Sequence, residues 1–177
     1  WYQPIIDAAI ARNARIVAAN APREYVRKAR EGYASILIVP EEESRFFSLP
    51  RSRHEGTKYR ERFFDLMSGG MGSGDGAHGE GMAPEMVEGI FRSQLLWDAT
   101  MADSIDRALN RGAKRVIHLV GGFHIEYEGG TVLELKARRP NTKILTIALL
   151  PESARFLRPD DRGIADVVIY TGTGEES

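Results

Sequence analysis

Two groups of residues in this chain have the types and spacing to do chemistry. The first is a turn, Gly121-Gly122-Phe123-His124, set directly after the apolar run Arg115-Val116-Ile117-His118-Leu119-Val120. A chain that leaves a strand through two glycines and at once presents a histidine is laid out like a ligand site of an α/β protein, where ligands bind beyond the carboxyl ends of strands. The glycines, Gly121 and Gly122, would let backbone approach a bound group closely. The second group is Gln94 and Asp98. At 100° per residue they fall within the apolar stripe of Val87, Ile90, Phe91, Met101, Ile105, Ala108 and Leu109. A carboxylate turned inward is costly unless paired or hydrogen-bonded. Gln94 and Asp98 therefore either line a polar site and orient its histidine, or satisfy loop amides.

The elements that must position these groups follow from periodicity. Tyr2 to Asn13 has helical spacing at Ile5, Ile6, Ala9 and Ile10, and Arg15 to Ala19 reads as a short buried strand. Asn20-Ala21-Pro22-Arg23 is a turn, with Pro22 suited to the first turn of a helix that stops near Gly32. Ser35 to Val39 reads as a strand ended by Pro40, and His54 to Met67 as a helix with Tyr59, Phe63, Phe64 and Met67 inward. Residues 68–82 hold seven glycines together with Asp75, His78 and Glu80, which predicts a flexible loop. A long helix spans about Pro84 to Asn110, ended by Gly112. Thr131 to Ala137 fits a short strand or a helix, so no clear crossover helix follows the turn. Lys143 to Leu150 and Ala165 to Tyr170 read as buried strands. The alternation predicts an α/β fold with a mainly parallel central sheet flanked by helices.

The 177 residues suit a single domain over 1–177. With 24 basic and 25 acidic residues the net charge is −1, which gives no reason to expect a nucleic-acid partner. No apolar run approaches the ~18 residues of a transmembrane helix. Cysteine is absent, which excludes disulfides, thiolate metal sites and a cysteine nucleophile. The opening Trp1-Tyr2-Gln3-Pro4 enters a helix with no polar lead-in, which reads as a fragment or processed chain with part of the domain upstream, or else as a trimmed one.

Three blocks carry a resemblance: Asn20-Ala21-Pro22-Arg23, the run from Gln94 to Ala102, and Gly121-Gly122-Phe123-His124-Ile125-Glu126-Tyr127. In this order they resemble the ChaN-like family of haem-binding, iron-regulated proteins. That family is similar to a wider group of erythromycin esterases, TraB and Tiki proteins, whose Gly-x-x-His motif is matched by Gly121 to His124. The resemblance implies an erythromycin-esterase/ChaN-like α/β domain that binds haem in haem or iron uptake. It also suggests an envelope or lipoprotein setting. The family's Gly-Glu-x-His type turn has no match here and would lie upstream, so the domain is expected to be incomplete. The Gly-rich stretch reads as an insertion.

Haem iron takes a histidine, tyrosine, methionine or thiolate ligand in an apolar pocket. His124 is best placed to face a ligand, with Tyr127 as a phenolate candidate and Tyr2 and Tyr59 as weaker ones. His78 could swing onto iron or a metal, or be solvated. His118 reads as a satisfied core or sheet-face residue, and His54 as the mark of a helix start. Arg23 could pair with a propionate or form a structural ion pair. The candidate ligand-binding set is therefore Asn20, Arg23, Gln94, Asp98, Gly121, Gly122, His124 and Tyr127, with His124 and His78 as metal ligands. A second reading is a metal-dependent esterase or peptidase, in which His124 with Asp98 or Glu126 holds a divalent metal that activates water. There Glu126 would share a strand face with His124. A third is a non-catalytic scaffold, and a homodimer fits any of the three.

Overall fold

The computed structural model describes residues 2–68 and 82–172. The predicted Gly-rich loop at 68–82, with His78, falls almost wholly outside the described residues. Six helices are described: α1 (Gln3–Ala11), α2 (Arg23–Ala29), α3 (Ala34–Leu37), α4 (Lys58–Ser68), α5 (Pro84–Asn110) and α6 (Gly130–Arg138). Two strands, β1 (Ile147–Leu150) and β2 (Val167–Tyr170), pair in parallel, Ile147 opposite Val167 and Leu150 opposite Tyr170. The architecture is mixed, mainly helical, with a small parallel sheet.

The long helix α5 is the spine. Its 27 residues give a rod of about 40 Å. Pro84 sits in the first turn with Glu85, Arg107 lies in the last, and Gly112 follows at φ +92°. These are the residues that favour a helix start, complement its dipole and close its end. The predicted boundaries hold at both ends. The middle of α5 is buried around much of its circumference, because three elements pack on different faces. Leu96 joins Tyr25, Val26 and Ala29 of α2 and Ile36 of α3. Val87, Phe91 and Leu95 meet Tyr59 and Phe63 of α4. Ala102 and Ile105 meet Leu135 of α6.

The sheet is smaller than periodicity predicts. Residues 15–19 and 115–120 are not in strands, and Ile16 and Val17 are exposed although their pattern predicts burial. Period-2 patterns show which face a residue takes but do not supply a hydrogen-bonded neighbour. Only residues 117–120 keep the alternation: His118 and Val120 are half-buried, whereas Ile117 and Leu119, like Val116, are exposed. Ser35 to Val39 is a helical turn, and Thr131 to Ala137 lies inside α6, a helix between the GGFH turn and β1. His54 precedes α4, which starts four residues later, at Lys58. At the entrance to the strands Asp166 accepts bonds from the Thr146 N–H (2.7 Å) and hydroxyl (2.8 Å). The Asp166 N–H donates back to the Thr146 hydroxyl (2.9 Å), which fixes the register.

One buried ionic network, invisible in the sequence, ties the segment before α4 to α6. Glu134 is fully buried. Its carboxylate accepts from the Arg51 N–H at 2.9 Å, the Ser52 N–H at 3.0 Å, the Ser52 hydroxyl at 2.5 Å and His54 Nε2 at 3.1 Å. Arg138, one turn on, pairs with it and also donates to Ser48 Oγ and the Leu49 carbonyl. Burial alone would raise the Glu134 pKa, but the bonds from His54, Ser52, the Arg51 N–H and Arg138 outweigh it and hold the group at about 2. Removing one member leaves the others buried and unpaired. Glu134→Ala is expected to lower stability by roughly 3–5 kcal/mol in urea unfolding. Because the folded-state pKa is depressed, this stabilisation is complete above pH 4.5 and is lost as pH falls toward 2. Glu134→Gln is expected to flatten that acid limb, measured as unfolding midpoint against pH.

Candidate functional site

The carboxylate of Asp98, fully buried on α5, gathers groups from three other parts of the chain. Tyr59 of α4 donates its hydroxyl to Oδ2 at 2.5 Å. Thr131 of α6 donates to Oδ1 at 2.7 Å. His124 reaches Oδ1 through Nδ1, also at 2.7 Å. Three donors offset the cost of burying the charge. A carboxylate only accepts, so Nδ1 carries the imidazole proton and Nε2 is left for another partner. The Gln94 amide nitrogen, one turn before Asp98, lies 3.3 Å from Nδ1 and 3.4 Å from Nε2. The two inward polar groups on the α5 stripe, Gln94 and Asp98, thus both meet the His124 ring. Tyr59 has its pKa raised by burial first, then by the charge and hydrogen bond of Asp98. It is a neutral donor here and not a free phenolate.

Phe123 fixes the turn. Its ring sits 5.2 Å from that of Tyr59 and 5.9 Å from that of Phe63, joining the aromatic cluster around Phe91. Offset and edge contacts at these distances orient the backbone that carries His124. The turn is short: Gly122–His124 form one 3₁₀ turn, and Tyr127 and Glu128 follow at φ +51° and +59°. Two successive non-glycine residues in the left-handed region are strained and must be held by their surroundings. The Tyr127 N–H donates to the Ile164 carbonyl at 2.8 Å. Its ring lies under Lys58 Nζ at 4.0 Å and beside the Arg62 guanidinium at 4.5 Å.

This backbone course overturns one expectation. Glu126 does not share a strand face with His124, because the segment curls. It pairs instead with Arg62 at 2.8 Å. The close approach of backbone also moves. A Cβ on Gly121 would find His124 Cδ2 at an ordinary 3.9 Å, and one on Gly122 would meet the far end of the Glu126 side chain. The steric demand lies at Gly129 and Gly130. A Cβ at Gly129 would stand 2.6 Å from the His124 carbonyl, and one at Gly130 would stand 2.2 Å from Asp98 Oδ2 and 2.6 Å from the Tyr59 ring.

The other predicted residues separate. Tyr127 turns its hydroxyl to the Asp160 carbonyl at 3.2 Å. Asn20 and Arg23 are exposed, at the approach to and start of α2. Neither has a hydrogen bond to the His124 group among the described residues. His118 is not satisfied as expected: its Nε2 is buried with no partner among the described residues. Burial lowers its pKa, and His124 lowers it further. Among the described residues no group of three or more potential metal-ligating side chains comes together. No described helix is long and apolar enough to cross a membrane. Periodicity places Tyr59 inward without giving it this role, and it singles out neither Thr131 nor Gly129 and Gly130. The adjacency of the two glycines is the one available signal.

Fold and candidate site together define a mainly helical protein with a small parallel sheet, in which a buried acid holds a histidine on a short turn. A family described as "Haem-binding uptake, Tiki superfamily, ChaN" matches residues 1–135, and the chain belongs to that family. The match includes α5, the His124 turn and most of α6, and ends before the β1–β2 pair. No curated protein and no solved structure matches the chain. Gly130→Ala is expected to push Asp98 off Tyr59 and cost about 1–3 kcal/mol. Gly121→Ala is expected to change stability far less, with both read by denaturant unfolding.

Proposed function

We propose that this protein binds haem, with His124 Nε2 presented to the iron, and serves haem or iron uptake. The observation that carries the reading is the Asp98–His124 pair. A metal-ligating histidine characteristically donates its other ring N–H to a carboxylate, which fixes the ring and raises its basicity. Here that carboxylate is buried and further held by Tyr59 and Thr131. The donor chemistry fits an iron porphyrin, since a partly exposed imidazole beside the half-buried Phe123 ring supplies one ligand next to an apolar group. When bound, haem would supply the redox-active or transported iron. The chain's own part is to hold His124 in one tautomer and orientation. The family supports haem as the ligand class, and an envelope setting is the compartment we propose on the same resemblance.

We extend the proposal to self-association. Ile147, Leu149, Val167 and Ile169 expose one apolar face of the β1–β2 pair. Contiguous apolar surface of this kind suits a second copy.

Titration with hemin is expected to shift the Soret band and saturate at a fixed stoichiometry. His124→Ala is expected to weaken binding by at least about tenfold. An unchanged wild-type spectrum would remove the haem reading. Light scattering after size exclusion is expected to give twice the chain mass, and Leu149→Asp to return it to the monomer. A monomeric wild type at micromolar concentration would remove self-association.

A further inference from the structure

Among the described residues five buried side-chain polar atoms have no partner: His54 Nδ1, Trp97 Nε1, His118 Nε2, Arg138 Nε and Glu152 Oε2. Three of them belong to side chains that are otherwise bonded or ion-paired, His54 and Arg138 in the Glu134 network and Glu152 with Arg158. Trp97 packs against the α2–α3 core. His118 differs. Neither of its nitrogens makes a hydrogen bond among the described residues, and it lies on the run that delivers the His124 turn.

The burial pattern turns His118 inward. Along residues 117–120 the exposed positions are Ile117 and Leu119, and the half-buried ones are His118 and Val120. His118 therefore points inward, away from the exposed apolar side. It is near enough to His124 and Asp98 for the charges of both to bear on its proton. An unsatisfied buried nitrogen costs stability, and an apolar side chain of similar volume would avoid that cost. Residues that break this rule cluster at functional sites, where stability is traded for function.

We propose that His118 is a second contact for the ligand taken by His124, its Nε2 reaching the iron or a group bound to it. This assignment rests on the haem reading. It makes the site a two-histidine one, delivered by a single continuous segment, 118–124. His124 is fixed by Asp98, whereas His118 has no partner among the described residues and gains one when the ligand enters.

The test is His118→Leu, which removes the nitrogens and keeps the bulk, compared with wild type and His124→Ala. Hemin binding is followed by optical and electron paramagnetic resonance spectra, and stability by urea unfolding of the ligand-free protein. The expected result is a ligand-free variant at least as stable as wild type, with hemin affinity reduced about tenfold or more and an altered ferric spectrum. Wild-type affinity and spectrum in His118→Leu would overturn the role of His118 and leave the haem reading standing. So would a variant destabilised without spectral change, since His118 would then be a packing residue. A wild type that gives no Soret shift would overturn both.

Discussion

The buried carboxylate of Asp98 is the constraint on which the site depends. It sits in the middle of the long helix against which α2, α4 and α6 all pack, and it cannot remain there unpaired. Its needs are met by Tyr59 from α4, Thr131 from α6 and His124 from the turn. Each bond fixes one element against α5. The charge that would make a poor core residue thereby sets the geometry of the histidine. Gly130 completes the arrangement by letting α6 start against the carboxylate, where any side chain would collide.

A second buried acid, Glu134, acts one turn further along α6 and serves structure instead. It collects the N–H groups of Arg51 and Ser52, the Ser52 hydroxyl, His54 and Arg138. Its carboxylate is saturated by these partners, although His54 Nδ1 and Arg138 Nε of the same network have no partner among the described residues. His124 has one nitrogen committed and the other outside that bond, and His118 Nε2 has no partner among the described residues. The strained turn at Tyr127 and Glu128 belongs with the site, held by Lys58, Arg62 and Ile164.

Much of the site is legible in the residues themselves. The polar pair on an apolar stripe identifies Asp98 and Gln94, because a 3.6-residue period leaves little choice of face. The GGFH turn points to His124, and the ordered blocks point to the family. Tyr59 is legible only as a weaker haem ligand and Thr131 not at all, since each acquires its role from Asp98, 39 and 33 positions away. The need for glycine at position 130 comes from the same carboxylate. His118 reads wrongly as a satisfied residue for a related reason: whether a histidine is satisfied depends on what surrounds it, which spacing does not encode. The runs at 15–19 and 115–120 read correctly as non-helical but wrongly as sheet, because pairing is a property of two segments.

The long helix and its limits, the inward face that carries Asp98, the histidine that follows two glycines and the family resemblance are all readable from the order of residues. These rest on local periodicity, capping residues and contiguous text. Folding adds that Asp98 holds His124, that Glu134 closes a structural lock, that β1 and β2 alone pair among the described residues, and that His118 Nε2 has no partner there. Each of these depends on whether groups remote in sequence meet at hydrogen-bond distance, where burial makes an unmet bond costly and so makes the meeting specific.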